Sequence, residues 1–215
     1  RQARADTSMG KNRIFPNDPL PLDILKQVDV QVKFDAREVQ LPTVPLTNLS
    51  AELSINDGLL VLRPITLKVA GGDAEGSVEM VPQGRAATVK AVFKVNRMDL
   101  RLLSADLKIE GKADVDLDLL SRGPSIAGLM AGLNGRTVVV MGHGSVDNKN
   151  IQMLGGNLAS GMLKLLNPSS KAANHTDINC GVSGFDVKDG MATVTALVVD
   201  TPDMTVIGEG QVNLR

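Results

Sequence analysis

Residue types able to carry chemistry are few and scattered in this 215-residue chain, which holds two histidines, one cysteine, and neither tryptophan nor tyrosine. His143 stands in Gly-His-Gly-Ser and His175 in Asn-His-Thr-Asp. Neither has a second histidine or cysteine at metal-ligand spacing, so both read as loop residues. Cys180 alternates with Ile178 and Val182, which reads as a small buried hydrophobe on a strand rather than a nucleophile. A single cysteine also excludes an internal disulfide and a cysteine-rich zinc site. Asp114, Asp116 and Asp118 lack the turn glycine and closing glutamate of a calcium loop, and with Val115 and Leu117 between them they read as the solvated side of a strand. Gly-His-Gly-Ser is not the Gly-x-Ser-x-Gly elbow of a hydrolase, and Gly71, Gly72 and Gly76 are not followed by the Lys-Ser/Thr of a phosphate loop. Gly128-x-x-x-Gly132 lies in an apolar segment too short to cross a bilayer, and Asn174-His175-Thr176 matches a glycosylation sequon. No nucleophile, base and oxyanion site assembles; the reading is of a protein that is not an enzyme, with no catalytic residue, metal site or cofactor.

Composition narrows the class further. With 43% apolar residues, 22% charged residues and a net charge of −1, the chain has material for a core and is not disordered by composition. Nucleic acid is excluded as a partner: there is no excess of Lys and Arg to neutralise phosphates, and four phenylalanines are the only aromatics on which bases could stack. No apolar run reaches the ~18 residues of a membrane helix, and the first ten residues lack the apolar core of a secretion signal. The chain is therefore cytosolic, or a piece of a longer protein whose targeting segment lies upstream.

The elements that must position these side chains are mostly strands. In residues 107–119, Leu107, Ile109, Val115, Leu117 and Leu119 share one parity, while Lys108, Glu110, Lys112, Asp114, Asp116 and Asp118 share the other. Because successive strand side chains point to opposite faces, this is one oily face backed by one charged face. Val28, Val30, Val32, Phe34 and Ala36 repeat the pattern in 28–41. Further strands are expected at 46–55, 59–69, 74–81, 88–95, 136–141, 178–187, 191–199 and 204–214, about ten in all. Asp57-Gly58 and Asp189-Gly190 between alternating runs are strong hairpin signals. Short turns throughout require antiparallel neighbours, since parallel strands need long crossovers.

Three segments break the alternation. Residues 1–20 are a polar, then proline-rich lead-in, extended or disordered, followed by one helical turn at Leu22 to Gln27. Pro124 to Gly135 reads as a short helix. Residues 150–166 place Ile151, Leu154, Leu158, Met162 and Leu165 three or four apart, an amphipathic helix expected to lie on the sheet. Residues 21–215 then form a single β-rich domain. It contains an internal repeat: 56–80 and 188–214 each run from an Asp-Gly turn through a strand to a closing Gly-x-Val-x-apolar strand, Gly76 to Met80 in one and Gly210 to Leu214 in the other.

The second of these units carries a resemblance. Cys180, Phe185, Gly190, Asp200-Thr201 and Gly208-x-Gly210-x-Val212-x-Leu214, together with "DVDLDLLSRGPSIAGLMAGLNG" upstream, resemble the carboxy-terminal domain of the AsmA family over roughly residues 20–214. That resemblance implies a bacterial envelope protein with a β-rich body in the periplasm, held to the inner membrane by a helix upstream of this sequence. It further implies kinship with bridge-type lipid transfer proteins, whose curved sheets offer an oily groove to acyl chains.

The expected fold is therefore mainly β: an elongated, strongly curved antiparallel meander of about ten strands, with one or two short amphipathic helices packed on it or capping it. Exposing every inward side chain would outweigh a net stability of ~5–15 kcal/mol, so the sheet is expected to close over itself for most of its length and leave only a narrow apolar strip. Val28, Val30, Val32, Phe34, Leu107, Ile109, Val115, Leu117 and Leu119 are the candidate groove-facing, lipid-binding residues. Expected partners are phospholipid acyl chains, with supporting roles in outer-membrane lipid homeostasis. The alternative is a structural or assembly factor that contacts outer-membrane proteins or their assembly machinery through open strand edges. A second copy of the chain, docked through the apolar strip or a strand edge, is a further expected partner.

Overall fold

A computed structural model describes residues 15–41, 44, 46–103, 108–147 and 175–215. Among them are twelve strands: β1 (Val30–Val39), β2 (Leu46–Asn56), β3 (Leu59–Val69), β4 (Gly72–Gln83), β5 (Ala86–Asp99), β6 (Ile109–Gly123), β7 (Asn134–Asp147), β8 (His175–Ile178), β9 (Cys180–Lys188), β10 (Met191–Asp200), β11 (Thr205–Ile207) and β12 (Gln211–Asn213). Two short helices accompany them, α1 (Leu22–Leu25) and α2 (Ile126–Ala131). All twelve strands join one sheet in the order β1-β2-β3-β4-β5-β6-β7-β9-β10-β11, with β8 also on β7 and β12 also on β10. Every pairing is antiparallel.

The meander follows from the turns. Asp57 (φ +48) and Gly58 (φ +80) close β2–β3, and Asp189 (φ +48) and Gly190 (φ +71) close β9–β10. Two successive positive φ values give the two-residue turn whose twist matches that of the flanking strands. The two Asp-Gly turns thus share one geometry, while 204–214 forms the two short strands β11 and β12 on β10 rather than the one continuous strand expected. Similarly, 178–187 is divided into β8 and β9 at Asn179, whose side-chain amide donates to the Asp200 carboxylate at 2.9 Å.

The sheet does not close over itself, which corrects the expectation of a strongly curved, self-covering sheet. β1 and β11 stand at opposite ends of the strand order and do not pair. Extensive contacts join only neighbouring strands, apart from those that α2 and a 3-10 turn at Leu100–Leu102 make with β6. The energetic argument for closure fails because strand side chains cover one another. Neighbours directly across and diagonally across a pair of strands lie within contact distance, so Val115, Leu117 and Leu119 are half-buried with no second layer over them among the described residues. What is fully buried is small: alanines 51, 70, 74, 87, 113 and 192 make up much of the buried apolar set.

α2 folds back over the end of β6. Ser125 caps it, its hydroxyl accepting from the Gly128 N–H at 3.1 Å, and Ser121 donates to the Leu129 carbonyl. The contact is closer than side chains allow, since a Cβ on Gly123 would stand 2.3 Å from the Gly128 backbone and one on Gly132 would stand 2.5 Å from the Arg122 carbonyl oxygen. The Gly128-x-x-x-Gly132 spacing therefore serves helix–strand packing. The lead-in docks here as well: Leu20 donates to Pro124, Ala127 donates to Pro16, and Leu22 is buried. The expected helix at 150–166 lies outside the described residues.

Candidate functional site

Register turns the alternation of each strand into rungs that cross the whole sheet. One rung runs Phe34, Ala51, Ile65, Gly76, Phe93, Leu117, Thr137, Phe185 and Val194, each residue the partner of the next. The next runs Val32, Leu53, Leu62, Val78, Ala91, Leu119, Gly135, Val187, Ala192 and Val212. A third links Ala74, Val95, Val115 and Val139. Residues paired across strands share a face, so β1 through β10 present one continuous apolar surface. Gly76 leaves room for the Phe93 ring, which a Cβ there would meet at 2.4 Å. α2 bounds this face at one end, since Ser121 and Gly123, its contacts on β6, have the parity of Leu117 and Leu119.

The predicted residues fall on this face in two groups. Val32 and Phe34 sit on the edge strand β1, 44% and 37% exposed, with Val30 half-buried beside them. Val115, Leu117 and Leu119 lie at mid-sheet on β6, and Ile109 lies at its far end opposite Val146. The register joins Phe34 to Leu117 and Val32 to Leu119 through the intervening strands. Val28 precedes β1 and is exposed, and Leu107 lies outside the described residues. Missed by sequence reasoning were Ile65, Phe93, Phe185, Leu53, Leu62 and Val78, which complete the same rungs. Their alternation was visible, and the two-residue Asp57-Gly58 turn fixes the register that aligns them.

The opposite face is charged, and its charges alternate in sign across strands. Arg63 meets Glu79 at 3.4 Å, Lys94 meets Asp116 at 3.5 Å and Arg136 meets Asp186 at 3.0 Å. A concavity of about 860 Å³ lies here, lined by Thr66, Glu75, Lys94, Asp118 and Arg136 around Val92 and Val138. Leu117 alone among the predicted residues borders it.

The isolated chemistry-bearing residues are placed differently from expectation. Cys180 is exposed, because the residues buried beside it are Gly181 and Ile178. His143 and His175 are strand residues, in β7 and β8, rather than loop residues, and both are exposed. Asp114 accepts the Arg97 N–H at 2.7 Å. Among the described residues no group of three or more His, Cys, Asp or Glu is placed to hold a metal ion, and no helix is long and apolar enough to cross a membrane.

Two carboxylates have altered acidity. Hydrogen bonds from the Arg101 side chain hold Asp99 at about 2, against the opposing effect of desolvation, and Asp99 in turn raises Arg101. Asp200 is held below the usual carboxylate range by the Thr205 hydroxyl at 2.6 Å and by Asn179. The Asp200 cluster ties Asn179, β10 and β11 together, whereas the Asp99–Arg101 pair is local to the 3-10 turn after β5.

The motifs that carried the resemblance are structural. Gly190 N–H donates to the Leu133 carbonyl at 2.9 Å, and Asp189 N–H donates to the Asn134 side-chain oxygen at 3.1 Å. The Asp-Gly turn and the Leu-Asn-Gly turn therefore bracket each other across the end of the sheet. In comparison with known proteins, a family model described as AsmA family matches residues 2–197. AsmA family protein YhjG of Escherichia coli (strain K12) is 21% identical over 199 residues, covering 90% of this chain and 28% of that protein. The chain thus spans under a third of the length of the curated relative it matches. No solved structure matches it.

Proposed function

The chain belongs to the AsmA family, and on that premise we propose that it is a non-enzymatic module of a bacterial envelope protein whose apolar sheet face receives phospholipid acyl chains. One observation carries this reading: the rungs from Phe34 to Val194 and from Val32 to Val212 form a largely apolar surface across the sheet, interrupted by Thr137, whose side chains are mostly half-buried, with Ile65 and Val187 buried and Val32, Phe34 and Val212 exposed toward the sheet's ends. Hydrocarbon laid on such a surface dehydrates both partners, at about 0.8 kcal/mol per buried methylene. The module would act in the periplasm, held to the inner membrane by a segment outside this sequence, and would support lipid homeostasis of the outer membrane.

The test is acyl-probe uptake together with native mass spectrometry of the purified chain. Bound phospholipid is expected, along with saturable uptake of a fluorescent fatty acid. Absence of both uptake and co-purified lipid would overturn the reading.

A second reading rests on the open edge of β1, whose residues 31–35 are all exposed. An unpaired edge accepts an added strand, which suits a structural factor that contacts outer-membrane proteins or their assembly machinery. Photo-crosslinkers at Lys33 and at Leu117 separate the two readings: protein adducts at Lys33 favour this one, and lipid adducts at Leu117 favour the first.

A further inference from the structure

On the charged face, where β5, β6 and β7 run side by side, two bulges flank the same point of β6. In β5 the register slips between Val95 and Met98, with Arg97 at φ +58. In β7 it slips between Met141 and Gly144, beside Gly111, where a Cβ would crowd the His143 carbonyl at 3.1 Å. Bulges re-aim side chains, and these two place Arg97 and His143 on the rim of one depression of about 650 Å³, together with Lys112, Asp114, Gly142 and Cys180.

Space is open at Gly142, where a Cβ would meet nothing within 4 Å. Asp114 is the one carboxylate on the rim, and its Oδ1 already accepts the Arg97 backbone N–H. The cations are not so engaged. Among the described residues neither Arg97 nor Lys112 forms an ion pair with a carboxylate, although Lys112 stands near enough to Asp99 to be felt by it, and Asp99 is already held by Arg101. On the same face Arg63, Lys94 and Arg136 are each paired, while Lys90 and Arg122, which among the described residues are not, lie outside the depression.

We propose that this depression is a binding site for a phosphate-bearing anion, with Arg97 and Lys112 as its cationic donors and His143 as a further donor. A guanidinium offers a planar fork to phosphate oxygens and an ammonium offers a point charge. The site lies on the face opposite the apolar rungs, so it does not depend on the acyl-chain reading. The same chemistry is presented by free phosphate and by an anionic lipid headgroup.

The experiment follows Arg97, Lys112 and His143 resonances of the whole chain by NMR, first with inorganic phosphate and then with vesicles of phosphatidylglycerol or, as control, phosphatidylcholine. Saturable shifts with inorganic phosphate are expected if the anion is soluble. Shifts confined to phosphatidylglycerol vesicles assign it to a headgroup. In either case Arg97→Ala is expected to weaken binding about tenfold, the loss that follows removal of one charge-assisted hydrogen bond. Gly142→Leu is expected to abolish binding by placing a bulky side chain at the border of the depression while the thermal midpoint holds. Absence of shifts with both phosphate sources, or binding that survives Arg97→Ala and Gly142→Leu unchanged, overturns the proposal.

Discussion

A Cβ placed on Gly123 would come within 2.3 Å of the backbone of Gly128 and Leu129, whereas one on Gly142 would touch nothing. Gly123→Ala is therefore expected to destabilise the chain by about 1–3 kcal/mol through forced separation of α2 from β6, and Gly142→Ala to leave it unchanged; urea midpoints check both. The sequence distinguished neither glycine from the other, because what separates them is a helix folded back over a strand end, a tertiary fact. Asp200 gives a pH prediction. Its folded-state acidity is depressed, so its contribution to stability is present above the ordinary carboxylate value of about 4 and is lost as pH falls through and below it. The hydrogen-exchange protection of the β11 amides, taken relative to intrinsic exchange, is expected to fall over that acid range, and Thr205→Ala is expected to reduce the dependence. The same sign holds for Asp99, whose loss extends down toward its value of about 2. The sequence marked none of this, since an Asp-Thr pair becomes a clamp only when a turn brings position 205 back to 200.

At the scale of elements, alternation located the strands well, because each exposes one face to water and period-2 patterning is what that exposure selects. The oily parity read in 107–119 is the half-buried parity of β6, Ile109–Gly123. What alternation could not show was where strands break: Asn179 ends β8 through its bond to Asp200, a contact twenty-one residues distant in sequence. Cys180 was misplaced for the same reason, its exposure depending on that break. The two faces also invite a paired test. Val32→Asp with Phe34→Asp puts charge on the apolar face at its exposed edge, whereas Val92→Asp puts charge on the opposite face at a residue as exposed as Phe34, both 37%. Acyl-probe uptake is expected to fall severalfold in the double variant and to persist in Val92→Asp; equal loss in both would detach uptake from the apolar rungs.

For the molecule as a whole, the meander was legible in the turns, and its openness was not. Counting inward residues as fully lost to water ignored the cover that each strand gives the next, and that cover is what lets a single layer persist. An open sheet exposes less new surface on unfolding than a two-layer domain of equal length, and denaturant dependence scales with newly exposed surface. The urea m-value is therefore expected to fall below that of a compact domain of this size, and a value at or above it would require a second layer over the apolar face.

The bracket between Asp189-Gly190 and Leu133-Asn134 joins positions more than fifty residues apart, while nearly every other pairing joins consecutive strands. During synthesis, each hairpin from β2 onward can zip to its predecessor as soon as it emerges, but α2 acquires its final restraint only when the β9–β10 turn arrives. Maturation is thus vectorial with a late latch, and a nascent chain stopped short of residue 188 would hold α2 on β6 but leave the Leu133-Asn134 segment without its bracket.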